Sequence, residues 1–356
     1  MTVEKYESDT TLSEIYNQAK SCAETVERAQ ARLDLCSRLL PLDLYTDIIL
    51  TGCGSSYNLA KCASLAWSET LRRPIRAVAS SELIFYPELH LNSRSKPLIV
   101  AISRTGGTTE VQLAVERIRS AYGARALAVT GQRDSLVGSV CDAELAFTEC
   151  YEDSIVMTQA FTCMLTGLYL VADGATGWQR RNDIVSIPRL ITASLEKNEE
   201  ITRRLAEDEG IKEFFFLGSG VMKGFADECA LKMTEMALSR ASGHRSLEFR
   251  HGPKASLDEE SQVIMFPVAA ERQYLDILLD ELHATGAQTL VVSPDHSQDA
   301  ENEHMSSVEL GEGLAEVFRP ALYAHLGQLL AFWRAMSKGL DPHSPRHLAR
   351  TVLLDL

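Results

Sequence analysis

The chain has 356 residues, 45% of them hydrophobic, which is enough for two or three domains with packed cores and excludes wholesale disorder. A formal net charge of −14 argues against a nucleic-acid or anionic-membrane surface as the main partner. Eight cysteines, at 22, 36, 53, 62, 141, 150, 163 and 229, form no Cys-x-x-Cys and no zinc-like spacing with histidine, so no metal is expected and the thiols read as reduced core residues.

The start, Met1 to Glu7, is charged and has no apolar targeting core, and no apolar run approaches the length of a membrane span. A cytoplasmic protein with no membrane partner is expected. Leu12 to about Leu40 has helical spacing through Ile15, Ala19, Cys22, Val26, Ala29 and Leu33. Ile48 to Thr51 reads as a short strand. It enters the loop Gly52-Cys-Gly-Ser-Ser-Tyr57, and a helix continues to Leu71 before Arg73-Pro74 stops it. Further strands are expected at Arg76–Ala79, Pro97–Ser103, Ala126–Thr130 and Leu145–Thr148. Helices are expected after Glu110 and over Thr158–Ala172. Pro97–Ser103 is almost wholly apolar, as a strand buried on both faces of a parallel sheet should be.

The polar stretch from Gly174 to Asn182 is the best place for a change of domain, followed by a helix over Ile187–Glu207. The opening grammar then returns. Phe214–Leu217 is a strand, Gly218-Ser-Gly220 a loop, and Met222–Ser239 a helix. Strands at Gln262–Pro267 and Gln288–Ser293 and helices over Glu271–Thr285 and Leu314–Lys338 complete the pattern. This predicts an internal duplication: two tandem α/β domains, each a doubly wound parallel sheet of flavodoxin type. The expected bounds are a helical segment 1–45, a first domain 46–180, a second domain 181–340 and a C-terminal tail 341–356.

Two loops carry the chemistry of anion binding. Gly52–Tyr57 joins glycines, which permit close backbone approach, to serines at a helix start, where free N–H groups and the helix dipole favour negative charge. It lacks the third glycine of a dinucleotide fingerprint and the Gly-Lys-Ser/Thr of a P-loop, so no cofactor is called for. Ser103-Arg-Thr-Gly-Gly-Thr-Thr109 places four hydroxyls, two glycines and an arginine in seven residues. Two such loops at the ends of neighbouring strands would face one crevice and suit a phosphate. In the second half, Lys232 and Glu235 lie three apart on one helix face. Glu248-Phe-Arg-His-Gly-Pro-Lys254 is charge-dense and puts His251 in a turn. Moving a proton between adjacent sugar carbons needs a carboxylate, and opening the ring needs a titratable group; Glu235 and His251 have the chemistry for both.

With these residues in view the chain resembles the sugar isomerase (SIS) family. It resembles the isomerase half of glutamine–fructose-6-phosphate aminotransferase and, more closely, the stand-alone tagatose-6-phosphate ketose/aldose isomerase (galactosamine-6-phosphate deaminase) group. The motifs are Gly52–Tyr57, Ser103–Glu110, Met157-Thr-Gln-Ala-Phe-Thr162, Leu217–Gly220, Ala230–Glu235, Glu248–Pro253 and Pro345-Arg-His-Leu-Ala-Arg350, in the family's order. The resemblance implies that Ser55, Ser56, Ser103, Thr105 and Thr108 hold a sugar phosphate, with Arg104 at another phosphate-loop position. It implies that Glu235 shuttles the proton between C1 and C2, that Lys232 is a site lysine, and that His251 opens the ring from the neighbouring subunit. Glu248 supports that loop. A homodimer or higher oligomer with shared active sites follows.

Two departures bear on the reaction. No glutaminase domain precedes the sugar domains and Thr2 follows Met1, so ammonia is not expected to come from glutamine. Arg350 stands where the aminotransferase has lysine; arginine can bind and polarise a substrate but cannot form an imine. The expected function is a phosphosugar isomerase or deaminase acting on a hexose or amino-hexose 6-phosphate. A fructosamine-6-phosphate deglycase and a non-catalytic phosphosugar sensor are the alternatives.

Overall fold

The computed structural model describes residues 9–294 and 305–354. The chain divides into two compact units. One is Asn17–Pro188 with His347–Leu356, and the other is Met1–Tyr16 with Arg189–Arg346.

In the first of these, β1 (Asp47–Gly52), β2 (Arg76–Ala79), β3 (Pro97–Ser103), β4 (Arg125–Thr130) and β5 (Ala143–Ala146) form one parallel sheet in the order β2-β1-β3-β4-β5. Ile49 faces Ile99 and Leu50 faces Val100 across β1 and β3, and all seven residues of β3 are buried. That follows from its uninterrupted apolar sequence, since both faces of a parallel sheet are covered by helices. The helices are α3 (Ser55–Leu71), α4 (Ser80–Phe85), α5 (Thr109–Tyr122), α6 (Leu136–Ser139) and α7 (Gln159–Ala175). Ile49, Ile99, Ala101, Val111, Val115 and Ile118 belong to one core between the sheet and α5. The expected single N-terminal helix is two, α1 (Thr10–Glu27) and α2 (Ala29–Cys36), interrupted at Arg28.

The other unit repeats the plan. β6 (Glu213–Gly218), β7 (Arg240–His244), β8 (Ser261–Phe266), β9 (Gln288–Ser293) and β10 (Met305–Glu309) are all parallel in the order β10-β9-β8-β6-β7. Counted from the first strand of each unit, this is the same order as in the first. Here α8 (Arg181–Glu207), α9 (Val221–Ala237), α10 (Arg272–His283) and α11 (Arg319–Ser337) are the helices. Phe215, Leu217, Val263, Met265, Leu278 and Leu282 form its core on the α10 side.

The duplication holds in detail. Gly54 and Gly220 precede their helices at φ 54°, ψ −127° and φ 54°, ψ −131°. Both helices are 17 residues long, and each ends on a left-handed non-glycine residue, Arg72 at φ 51° and Leu238 at φ 47°. One constant spacing separates Gly52 from Gly218, Gly54 from Gly220 and Arg72 from Leu238. The two tandem doubly wound α/β domains expected from the sequence are present. The sequence reading passed over β7 and β10, and α8 begins six residues before its expected start, because Pro188 lies inside the helix.

Candidate functional site

In the first unit, strand order reverses between β1 and β3, and both loops of interest leave the carboxyl ends of those two strands. This is where doubly wound sheets open a crevice for ligands. Ser55 and Ser56 begin α3 and are buried. Gly52 is required just before them. A Cβ there would lie 2.8 Å from the Ser56 carbonyl carbon and 3.0 Å from the Ile102 oxygen. Between the glycines, Cys53 stays protonated, its thiol pushed up to about 11 by burial and by the charge of Glu110.

Ser103 ends β3, and Thr108 immediately precedes α5. Their hydroxyls lie 3.0 Å apart, so the loop brings both to one point. The turn between them is tight. Gly106 has φ 64°, and the Gly107 amide donates to the Thr105 hydroxyl at 3.3 Å. The Thr105 carbonyl accepts from the Gln132 side chain.

Arg104, expected at a phosphate-loop position, has its guanidinium engaged within the protein. Its guanidinium donates to Glu152 at 3.1 Å and to the carbonyls of Ser154, Ile155 and Val156 at 3.1, 2.7 and 2.9 Å. These bonds turn the arginine toward the segment 152–156 and make it a brace for that segment. Arg350, in the tail, donates to the Glu152 carbonyl, lies 3.8 Å from Asp153 and stacks 5.0 Å from the Tyr151 ring centre. Arg104, Thr105, Gln132, Tyr151, Glu152, Arg350 and neighbouring residues line a cleft of about 230 Å³.

In the second unit, α9 carries the acid–base candidates. Lys232 is almost fully buried, with its ammonium 2.6 Å from Glu235 and 3.4 Å from Glu228. Glu235 retains 21% of its side-chain surface, and this exposure leaves one carboxylate of the group open to a ligand. Glu248 begins a short 3₁₀ turn, Glu248–Arg250, and the His251 amide donates to its carbonyl at 3.0 Å. Both side chains are exposed. Arg250 and Lys254 of the same loop are held by Glu281 of α10, at 2.6 and 2.7 Å, which fixes the loop on both sides of His251. Among the described residues no cluster suited to a metal is present.

The sequence reading missed Glu152, Gln132 and Tyr151, which lie in the cleft, and Glu228, which shares Lys232. Glu228 lies one helical turn before Lys232, and that spacing was the available signal. Glu152 gives no comparable signal, because its partners are main-chain groups, one threonine hydroxyl and Arg104, which is distant in the sequence.

Residues 46–172 match the SIS domain family. Similar curated proteins include the isomerizing glutamine–fructose-6-phosphate aminotransferases of Pyrobaculum aerophilum, 29% identical over 97% of this chain and 57% of theirs, and of Sulfurisphaera tokodaii, 24% identical over 97% and 56%. The chain therefore spans a little over half the length of these relatives. Among solved structures, a glucosamine-6-phosphate deaminase from Thermotoga maritima is 28% identical with a TM-score of 0.78, covering 97% of this chain and all of that one. A tagatose-6-phosphate ketose/aldose isomerase from Escherichia coli, 23% identical over 95% and 96% of the two chains, shares the fold with a TM-score of 0.83. The Ser55–Ser56 turn and the Ser103–Thr109 loop both fall inside the segment that matches the SIS domain.

Proposed function

We propose that the protein is a phosphosugar aldose–ketose isomerase or deaminase acting on a hexose or amino-hexose 6-phosphate. The observation that carries this reading is the pair of hydroxyl-bearing loops at the carboxyl ends of β1 and β3, on either side of the switch point. Ser55, Ser56, Ser103, Thr105 and Thr108 hold the phosphate there through hydroxyl and helix-start N–H donors. His251 opens the ring. Glu235 takes the C2 proton of the open aldose and returns it to C1, passing through an enediol, or through an enamine when C2 bears nitrogen. In the second case water replaces the amine at C2 and ammonia leaves. Lys232 holds the Glu235 carboxylate in place through their ion pair, and Arg350 polarises the substrate without forming an imine. The names of the relatives support this substrate class.

A larger leaving amine is the second reading. The cleft of about 230 Å³ beside Tyr151 and Arg350 favours it, because it offers room and a fixed guanidinium next to the hydroxyl loop. In both readings the protein works as a homodimer in which His251 serves the neighbouring chain's substrate. The site is cytoplasmic, in keeping with eight cysteines of which none is in a disulfide.

The test is turnover of galactosamine 6-phosphate, glucosamine 6-phosphate, tagatose 6-phosphate and fructoselysine 6-phosphate, with ammonia release and aldose–ketose exchange followed separately. Loss of both activities in Glu235→Gln, with tight binding retained, is expected. A wild-type protein that binds one of these tightly and turns over none would mark a sensor instead. Mixing Glu235→Gln with His251→Ala should restore part of the activity, since one wild-type site can form in a mixed dimer.

A further inference from the structure

Nothing in the sequence singles out Glu152, yet it joins three parts of the first unit. Its carboxylate is shut off from solvent. Oε1 accepts from the Thr158 amide at 2.7 Å, the Thr158 hydroxyl at 2.8 Å and the Ala160 amide at 2.9 Å, satisfying donors at the start of α7. Oε2 accepts from Arg104 at 3.1 Å. The carbonyl of the same residue accepts from Arg350.

Arg104 extends this reach. Its own carbonyl accepts from the Gly131 amide at 2.8 Å, at the end of β4, where a Cβ on Gly131 would come within 2.7 Å. The tail has few other attachments. The Leu354 amide donates to the Thr109 hydroxyl at 2.7 Å, and the Thr351 methyl lies 3.3 Å from the Cβ position of Gly107. Leu348, Val352, Leu353 and Leu354 are all exposed. A segment with so little buried surface is ordered by its anchors, and Arg350 is anchored by a hydrogen bond to the Glu152 carbonyl, beside the Tyr151 ring and Asp153 of the same segment.

We infer that Glu152 is the positioning residue of this site: its side chain fixes Arg104 of the hydroxyl loop while its carbonyl fixes Arg350 of the C-terminal tail, so loop and tail are set from one point. The ion pair is what makes the point rigid. A buried carboxylate that accepts four bonds has one placement, and neutralising it leaves the Arg104 guanidinium without its counter-charge. The segment 152–156 then loses its brace, and the Glu152 carbonyl no longer presents a fixed acceptor to Arg350. The catalytic half of the inference rests on the substrate role proposed above for Arg350. The structural half does not.

Hydrogen exchange and steady-state kinetics on the full chain separate the two. Glu152→Gln keeps the shape of the side chain and an acceptor for α7, and Arg104→Lys keeps the positive charge but not the fan of bonds to residues 154–156. Both variants should speed amide exchange in residues 350–354 at least tenfold while β3 and α3 exchange as in the wild type. With the active phosphosugar as substrate, kcat should fall at least tenfold and KM change less than threefold, and adding Arg350→Ala to Glu152→Gln should cost less than a further factor of two. Unchanged exchange in the tail of both variants overturns the inference. So does acceleration spread evenly over β3, α3 and the tail in both, which marks a residue needed for folding alone, and so do kinetic losses for Glu152 and Arg350 that multiply. If the wild-type protein turns over no phosphosugar, the proposed function fails, while the exchange comparison still decides the positioning role.

Discussion

Lys232 is shared by two carboxylates of its own helix, with Glu235 at 2.6 Å and Glu228 at 3.4 Å. The three residues are spaced so that one face of α9 carries all of them. Lys232 and Glu228 are buried, and Glu235 has 21% of its side chain exposed. A buried ammonium needs a counter-charge, and Glu228 and Glu235 each supply one. Glu235→Gln leaves Lys232 with Glu228 and should fold. Its kcat should fall by a factor of about 10² to 10⁴, the range for loss of a positioned acid–base group. Lys232→Met is the harsher change for stability. It brings two carboxylates together with no cation between them and should cost about 3–5 kcal/mol, the range for breaking a buried pair from one side. Denaturant titration of the two variants beside their kinetics checks both statements. A Glu235→Gln protein with full turnover would remove that residue from the mechanism.

The same close approach occurs in both units but carries different side chains. The Cβ missing from Gly52 would meet the main chain of Ser56, and the one missing from Gly218 would meet the carbonyl oxygen of Met222 at 2.7 Å. At the positions where the first unit has Ser55 and Ser56, the second has Val221 and Met222. The second turn thus keeps the backbone shape without the hydroxyls, which suits packing and not phosphate. Gly52→Ala and Gly218→Ala should each destabilise by about 1–3 kcal/mol through overpacking. Their kinetic effects should differ. Gly52→Ala displaces Ser56 and should raise KM at least fivefold. Gly218→Ala moves the start of the helix that carries Glu235 and should lower kcat with KM within twofold of wild type. Equal KM effects would show that the serine turn does not hold the phosphate.

Arg350 supplies a chemical test of the departure from lysine. Its guanidinium is held by the Glu152 carbonyl and the Tyr151 ring. Borohydride treatment with a ketose 6-phosphate should leave no adduct at residue 350 of the wild type, because arginine stays protonated. In Arg350→Lys a trapped imine at residue 350 should appear by mass spectrometry if the side chain reaches the open-chain carbonyl. An adduct-free Arg350→Lys that retains activity would place residue 350 outside reach of the sugar.

Much of this organisation was legible in the sequence, for reasons particular to each element. β3 and β6 are continuous apolar runs, and the glycine loops after β1 and β6 repeat, so sheet type and duplication were readable. β7 was not, because Arg240-Ala-Ser-Gly-His244 is polar and none of its residues is fully buried. β10 was not, because Met305–Glu309 is an edge strand with three polar positions. The hydroxyls of Ser103 and Thr108 could be picked out because they flank a glycine pair between an apolar strand and a helix start. The task of Arg104 could not, because three of its four acceptors are carbonyls of residues 154–156, and carbonyls carry no sequence signal. The residues around Lys232 were half visible, since Glu235 suggests chemistry on its own whereas the i, i+4 spacing of Glu228 and Lys232 marks a shared helix face without saying that both are buried.

His325 of α11 is one source of pH dependence in the second unit. It is fully buried, and its Nδ1–H donates to the Leu322 carbonyl at 2.7 Å. A carbonyl can only accept, so Nδ1 carries the proton of the neutral ring and Nε2 faces the Asn198 amide at 3.5 Å as an acceptor. Burial pushes its pKa down to about 4, while the bond to Leu322 opposes that shift. The unfolded chain therefore binds a proton below about 6.5 that the folded chain refuses until about 4. Stability should be flat with respect to this group above pH 6.5 and fall as pH drops from 6.5 to 4, by about 3 kcal/mol in all. His325→Gln removes the titrating ring and retains an amide donor, so its denaturation midpoint should fall less steeply across that window than the wild type's. Identical acid limbs for the two proteins would show that His325 takes up its proton without unfolding the helix around it.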